Sequence, residues 1–278
     1  MERALDFHTQ SAMTLSENET PCPMTSAQFK DLKDASVFIT GGASGIGATL
    51  VEGFAVQGAK VAFVDLLDGT DCADGIGQRT GNRPLALQAD VTDIAALREA
   101  IAKAAEAHGT ITILVNNAAL DERRGALDVD EAHWDKMQAI NLKHQFFAAQ
   151  AVVPGMQAAG GGRIVNFSSI SYMMGMGDYP AYTSAKSGIT ALTRSFAREF
   201  GRDNIRVNAV MPGWVLTPRQ MELWASPEAL DAFQARMCLP EHLKPEDMVG
   251  PVLFLASEAS SVMTGQALVV DGGVVVTG

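Results

Sequence analysis

From residue 36 onward, short β-branched runs alternate with longer stretches of helical periodicity, and this alternation restricts the chain to repeated βαβ units around a parallel sheet. The strand runs fall at 37–40, 61–65, 85–89, 111–115, 163–167, 206–210 and 268–270, and the helical patterns at 46–57, 94–108, 131–159, 181–200 and 245–255. Parallel neighbours require crossover connections, and most of the gaps are long enough to hold a helix. Residues 68–80, DGTDCADGIGQRT, carry weak helical character at best. Residues 212–244, broken by Pro212, Gly213, Pro218, Pro227 and Pro240, read as a long irregular loop of the kind that forms lids. No linker divides the pattern, so one α/β domain is expected over 32–278, with a doubly wound parallel sheet of about seven strands covered by helices on both faces. Residues 1–31 read as a flexible N-terminal extension.

Composition narrows the function by exclusion. Of the 278 residues 47% are apolar, enough for a large core, and the net charge of -11 disfavours phosphate backbones and anionic membrane surfaces. Nucleic acid is therefore not an expected partner, and no apolar run reaches the ~20 residues that span a bilayer. The three cysteines and five histidines are scattered without ligand spacing, so no metal site is expected. Free thiols and the lack of a secretory pattern point to a cytoplasmic protein.

The first strand run, VFIT, passes into GGASGIG and then into a helical pattern, so Gly41, Gly45 and Gly47 fall where strand becomes helix. Such a turn lets the backbone approach a pyrophosphate and aims a helix N-terminus at its charge, the arrangement of a Rossmann-type dinucleotide site. Asp65 closes the second strand run, eighteen residues beyond Gly47, where a carboxylate accepts hydrogen bonds from an adenine ribose and repels a 2′-phosphate. With no Arg or Lys in the glycine turn or directly after Asp65, NAD is favoured over NADP. A second feature lies at Tyr182 and Lys186, one helical turn apart and projecting from one face. A free phenol ionises near pH 10, and a neighbouring ammonium would lower that value into a range useful for a base.

In its ordered motifs the chain resembles the short-chain dehydrogenase/reductase family over about 36–273. They are TGGASGIG at 40–47, Asp90-Val91, NNAA at 116–119, Asn141, Ser169, YTSAK at 182–186 and PGWVLT at 212–217, with Ala119 standing where the family usually has glycine. The resemblance implies an oxidoreductase in which Tyr182 is the base, Ser169 holds the reacting oxygen, Lys186 also binds the nicotinamide ribose, and Asn141 anchors a water that relays protons from Lys186. It implies a cofactor site made of Thr40, Gly41, Ser44, Gly45, Ile46, Gly47, Asp65, Asp90, Val91, Asn117, Ala118, Tyr182, Lys186, Pro212, Gly213, Val215 and Thr217, with Asn116 stabilising the central sheet. A homotetramer is implied too.

Longer stretches, NNAALDERR, INLKHQFFAAQAVVPGM, NFSSIS, PGWVLTPRQ with Leu223-Trp224, and CLP at 238–240, are similar to sugar 1-dehydrogenases, which oxidise an aldose such as xylose, arabinose or galactose at C1 to the lactone. A polyhydroxylated substrate requires several polar partners in its pocket. Asp121, Arg123, Ser171, Arg219 and Gln220 are the candidates. Leu120 and Arg124 depart from the sugar group's Asn and His, and Met173, Met174 and Met176 make one wall apolar, so another NAD-dependent secondary-alcohol dehydrogenase or a 3-oxoacyl-type reductase is the alternative. A non-catalytic NAD-binding protein would be expected to lack Tyr182, Lys186 or Ser169, and all three are present.

Overall fold

The computed structural model describes residues 27–277. In chain order the elements are β1 (Ser36–Thr40), α1 (Gly45–Val56), β2 (Lys60–Asp65), α2 (Thr70–Thr80), β3 (Leu85–Gln88), α3 (Ile94–His108), β4 (Ile113–Asn116), α4 (Glu131–Gln138), α5 (His144–Ala158), β5 (Gly162–Phe167), α6 (Pro180–Phe200), β6 (Ile205–Pro212), α7 (Pro218–Leu223), α8 (Pro227–Gln234), α9 (Val249–Ala256) and β7 (Ala267–Val270). The seven strands form one sheet in the order β3-β2-β1-β4-β5-β6-β7, and every pairing is parallel.

β1 shows why the sheet is covered on both sides. All five of its residues are buried, yet alternate side chains enter different cores: Val37 and Ile39 pack with α1 and α9, and Phe38 packs with α3 and α5. Chain direction reverses its march across the sheet between β1 and β4, so their carboxyl ends open a crevice, the place where ligands bind in such folds.

Three elements differ from the sequence expectation. α2 is a full helix, closed by Gly81 at φ 73°, because Ala73 and Ile76 bury against the α1 face and Arg79 pairs with Glu52 at 2.6 Å. Packing outweighs the poor helix propensity of Gly75 and Gly77. The helix expected at 131–159 is split by a π turn, Ala139–Lys143, that carries Asn141. The loop 212–244 contains α7 and α8, each begun by a capping hydroxyl, Thr217 or Ser226, followed by proline at the first helical position.

Of the expected extension, residues 1–26 lie outside the described residues. Residues 27–31 dock on the domain, where Gln57 accepts from the Phe29 N–H at 2.8 Å and donates to the Ala27 carbonyl at 3.1 Å. Among the described residues no helix is long and apolar enough to cross a membrane.

Candidate active site

A cavity of about 1040 Å³ runs along the carboxyl ends of the strands from Asp65 to Arg236. Of the expected catalytic, cofactor and substrate residues, all but Thr40 and Asn141 line it, whereas Asn116 and Arg124 do not; of the three methionines, Met174 and Met176 do and Met173 does not.

The glycine turn is shaped by close approach. A Cβ on Gly47 would lie 1.6 Å from the Gly41 carbonyl oxygen, and one on Gly41 would lie 2.8 Å from the Ala118 Cα with φ already at +73°. These two glycines therefore serve the turn itself. Gly45 begins α1 at φ +53° and meets only Thr217, so it presents a bare backbone to the cavity. The fit to a dinucleotide rests on this cradle: a helix N-terminus opened by a glycine, beside an acidic strand end.

Thr40 lies beneath the turn and is fully buried. Its hydroxyl oxygen accepts from the Asn117 and Ala118 N–H groups at 3.1 Å each, and the hydroxyl hydrogen-bonds His144 Nε2 at 3.4 Å. Burial, helped by Lys186, holds His144 at about 3, so the imidazole is neutral. Asn117 Nδ2 donates to the Gly41 carbonyl at 2.8 Å, tying β4 to the turn. Asn116 donates to Asn166 at 2.9 Å inside the sheet. Asp65 accepts from the Ala43 N–H at 2.9 Å and the Leu67 N–H at 3.1 Å, so it braces the glycine turn as well as facing the cavity. Asp90 caps its own turn through Thr92.

On the other side of the crevice α6 carries Tyr182 and Lys186. Their spacing puts the Lys186 Nζ 5.5 Å from the Tyr182 ring centroid, while that ammonium donates to the Phe167 carbonyl at 2.8 Å. Ser169 follows β5; its oxygen accepts from the Ser171 N–H at 3.1 Å, and it hydrogen-bonds Tyr182. The electrostatics differ from the sequence expectation. Burial pushes the Tyr182 phenol well above its ordinary value, Asp121 and Tyr179 push the same way, and Ser169 and Arg123 pull it back. Burial also pushes Lys186 down to about 7, opposed by Asp121. In this arrangement the lysine does not acidify the phenol, because desolvation penalises both charged forms.

Asn141 is fully buried in the π turn. Its amide oxygen accepts from the Leu120 N–H, and its nitrogen donates to the Leu120 and Met137 carbonyls, at 3.0 Å each. The side chain thus braces Leu120, and its amide oxygen, accepting one bond, keeps a second lone pair. The substrate candidates divide similarly. Gln220 donates to Asp121 at 2.7 Å and accepts from Trp214 Nε1 at 2.8 Å, and Arg219 stands 3.8 Å from Asp121, so these side chains strap α7 to the loop after β4. Ser171 and Arg123 keep unpartnered polar atoms in the cavity wall.

Tyr179, Trp214 and Trp224 also line the cavity, although none of them is among the expected site residues. The Arg123 guanidinium lies 4.1 Å from the Trp224 ring centroid and 5.2 Å from that of Tyr179. The T-P capping signature at Thr217 and the Leu223-Trp224 stretch are the signals that place Trp224 at the end of α7; nothing local marks Tyr179.

Residues 41–275 match a family model described as enoyl-(acyl carrier protein) reductase. A probable galactose dehydrogenase of Rhizobium meliloti is 49% identical over 253 residues, covering 90% of this chain and 99% of the relative. A D-xylose 1-dehydrogenase of Caulobacter vibrioides is 42% identical over 252 residues, with 90% and 99% covered. The crystal structure of a putative short-chain alcohol dehydrogenase from Sinorhizobium meliloti superposes with a TM-score of 0.83 at 34% identity, covering 87% of this chain and 96% of the other.

Proposed function

The chain belongs to the short-chain dehydrogenase/reductase family of oxidoreductases, and on that premise we propose that it oxidises the C1 hydroxyl of an aldose to the lactone, with NAD as acceptor and Tyr182 as base. The observation that carries this reading is the convergence of Tyr182, Lys186 and Ser169 in the wall of the cavity that also holds the bare Gly45 turn. The relatives named for galactose and D-xylose support an aldose.

Gly45, Ser44 and Ile46 would meet the pyrophosphate, Asp65 the adenine ribose, Asp90 and Val91 the adenine, and Pro212, Gly213, Val215 and Thr217 the nicotinamide end. When bound, the oxidised nicotinamide supplies the hydride acceptor and a positive charge that favours a nearby phenolate. Ser169, whose oxygen already accepts from a backbone N–H and whose hydroxyl lies beside Tyr182, would turn its proton from the phenol to hold the reacting oxygen. Tyr182 receives the hydroxyl proton. Lys186, with a pKa of about 7, exchanges protons readily at neutral pH and is the next residue able to carry the charge onward. Asp65 would accept from a ribose 2′-hydroxyl and repel a 2′-phosphate, which supports NAD over NADP.

The test is direct. Purified protein with NAD is expected to form NADH with galactose, xylose or arabinose, with the lactone trapped as its hydroxamate. NADH formation from simple secondary alcohols but from no aldose would favour the alternative alcohol dehydrogenase.

A further inference from the structure

Resting on the aldose reading, we infer that the preferred substrate carries a carboxylate at the end remote from C1, as an aldohexuronate does, and that Arg123 receives it. Arg123 is covered by two rings, Trp224 at 4.1 Å and Tyr179 at 5.2 Å, which keep water from its faces. Its Nε is buried and unpartnered, and among the described residues no carboxylate lies within ion-pair distance of it. The neighbouring arginines differ: Arg124 is paired with Glu122 at 2.9 Å, and Arg219 stands 3.8 Å from Asp121. Asp121 is itself engaged by Gln220 at 2.7 Å.

Trp224 and Ser171 line the same cavity, and Trp224 Nε1 and Ser171 Oγ are likewise buried without partners. Three residues of one cavity wall thus each keep a donor that nothing in the chain engages. A guanidinium carries its charge over the whole working pH range, and the two terminal nitrogens of Arg123, which no side chain or carbonyl of the described residues engages, can take a carboxylate end-on with two parallel charge-assisted bonds. A hydroxymethyl group donates as well as accepts and leaves the charge unbalanced. The chemistry at C1 is unaffected: the C1–H electron pair leaves as hydride to the oxidised nicotinamide dinucleotide, the hydroxyl proton goes to Tyr182, and C1–O becomes the lactone carbonyl. The carboxylate does not react.

The experiment compares kcat/KM with NAD for D-galacturonate against D-galactose and for D-glucuronate against D-glucose, pairs that differ only at C6. The expected result for at least one pair is a uronate preference of about tenfold or more. Arg123→Gln should lower that ratio by at least about tenfold, and Arg123→Lys should restore only part of it. A neutral hexose used as well as or better than its uronate in both pairs would overturn the inference and leave the aldose reading standing. So would equal losses on uronate and hexose in Arg123→Gln. Failure of the protein to oxidise any neutral aldose or uronate would overturn both.

Discussion

The two sides of the crevice are built on opposite principles. On the β1–α1 side, polar groups are paired within the chain: Thr40 holds Asn117 and Ala118, Asn117 holds Gly41, and Asp65 holds Ala43. On the side lined by α6, α7 and the loop after β4, Ser171 Oγ, Arg123 Nε and Trp224 Nε1 are buried and unpaired. A site for one invariant ligand can be finished in advance from backbone and short side chains. A site that selects its ligand keeps donors whose desolvation is offset only when the right molecule arrives. Preorganisation and selectivity are thus assigned to different walls of one cavity.

The largest expected effect that separates the walls comes from Gly47→Ala. Its Cβ would sit 1.6 Å from the Gly41 carbonyl oxygen, so the turn must deform, and NADH affinity should fall by about a hundredfold or more with a clear loss of Tm. Unchanged NADH titration would mean that the turn is not the cradle.

Asp65→Ala comes next. It removes the proposed ribose acceptor and also the partner of the Ala43 N–H, so NADH binding should weaken roughly tenfold, with Tm reduced by a few degrees. NADPH binding should strengthen relative to NADH; an unaltered ratio of the two dissociation constants would place cofactor choice elsewhere.

The smallest effect should be that of Gln220→Ala, which cuts the strap from Trp214 to Asp121. Sugar KM should rise about three- to tenfold with NADH affinity unchanged. A loss of NADH binding as large as the loss in KM would erase the proposed division between the walls.

The same contrast explains what could be read in the sequence. The glycine turn, the strand ends and the Tyr182–Lys186 pair are local: a few consecutive residues, or one helical turn, contain the whole geometric constraint. The run at 37–40 marks β1 to within one residue because burial on both faces leaves a nearly unbroken apolar stretch. The opposite wall depends on contacts between distant segments. Gln220 meets Asp121 across 99 positions, so the two read as separate substrate ligands when their hydrogen bonds are to each other. Asn141 likewise bonds Leu120, 21 positions away, and this commitment has no trace in its own neighbourhood. The effect of burial on Tyr182 and Lys186 was not visible for the same reason, since desolvation is set by everything packed around a group.

The central claim is that the Tyr182 hydroxyl takes the substrate's proton. With burial raising the phenol, log kcat/KM for aldose oxidation by the wild type should climb by about one per pH unit between pH 7 and 9, because the phenolate is the minor form throughout that window. Tyr182→Phe should lower kcat/KM by about a thousandfold or more while binding NADH within about threefold of the wild type. Near-normal turnover in the phenylalanine variant, with the same rise in pH, would contradict the account.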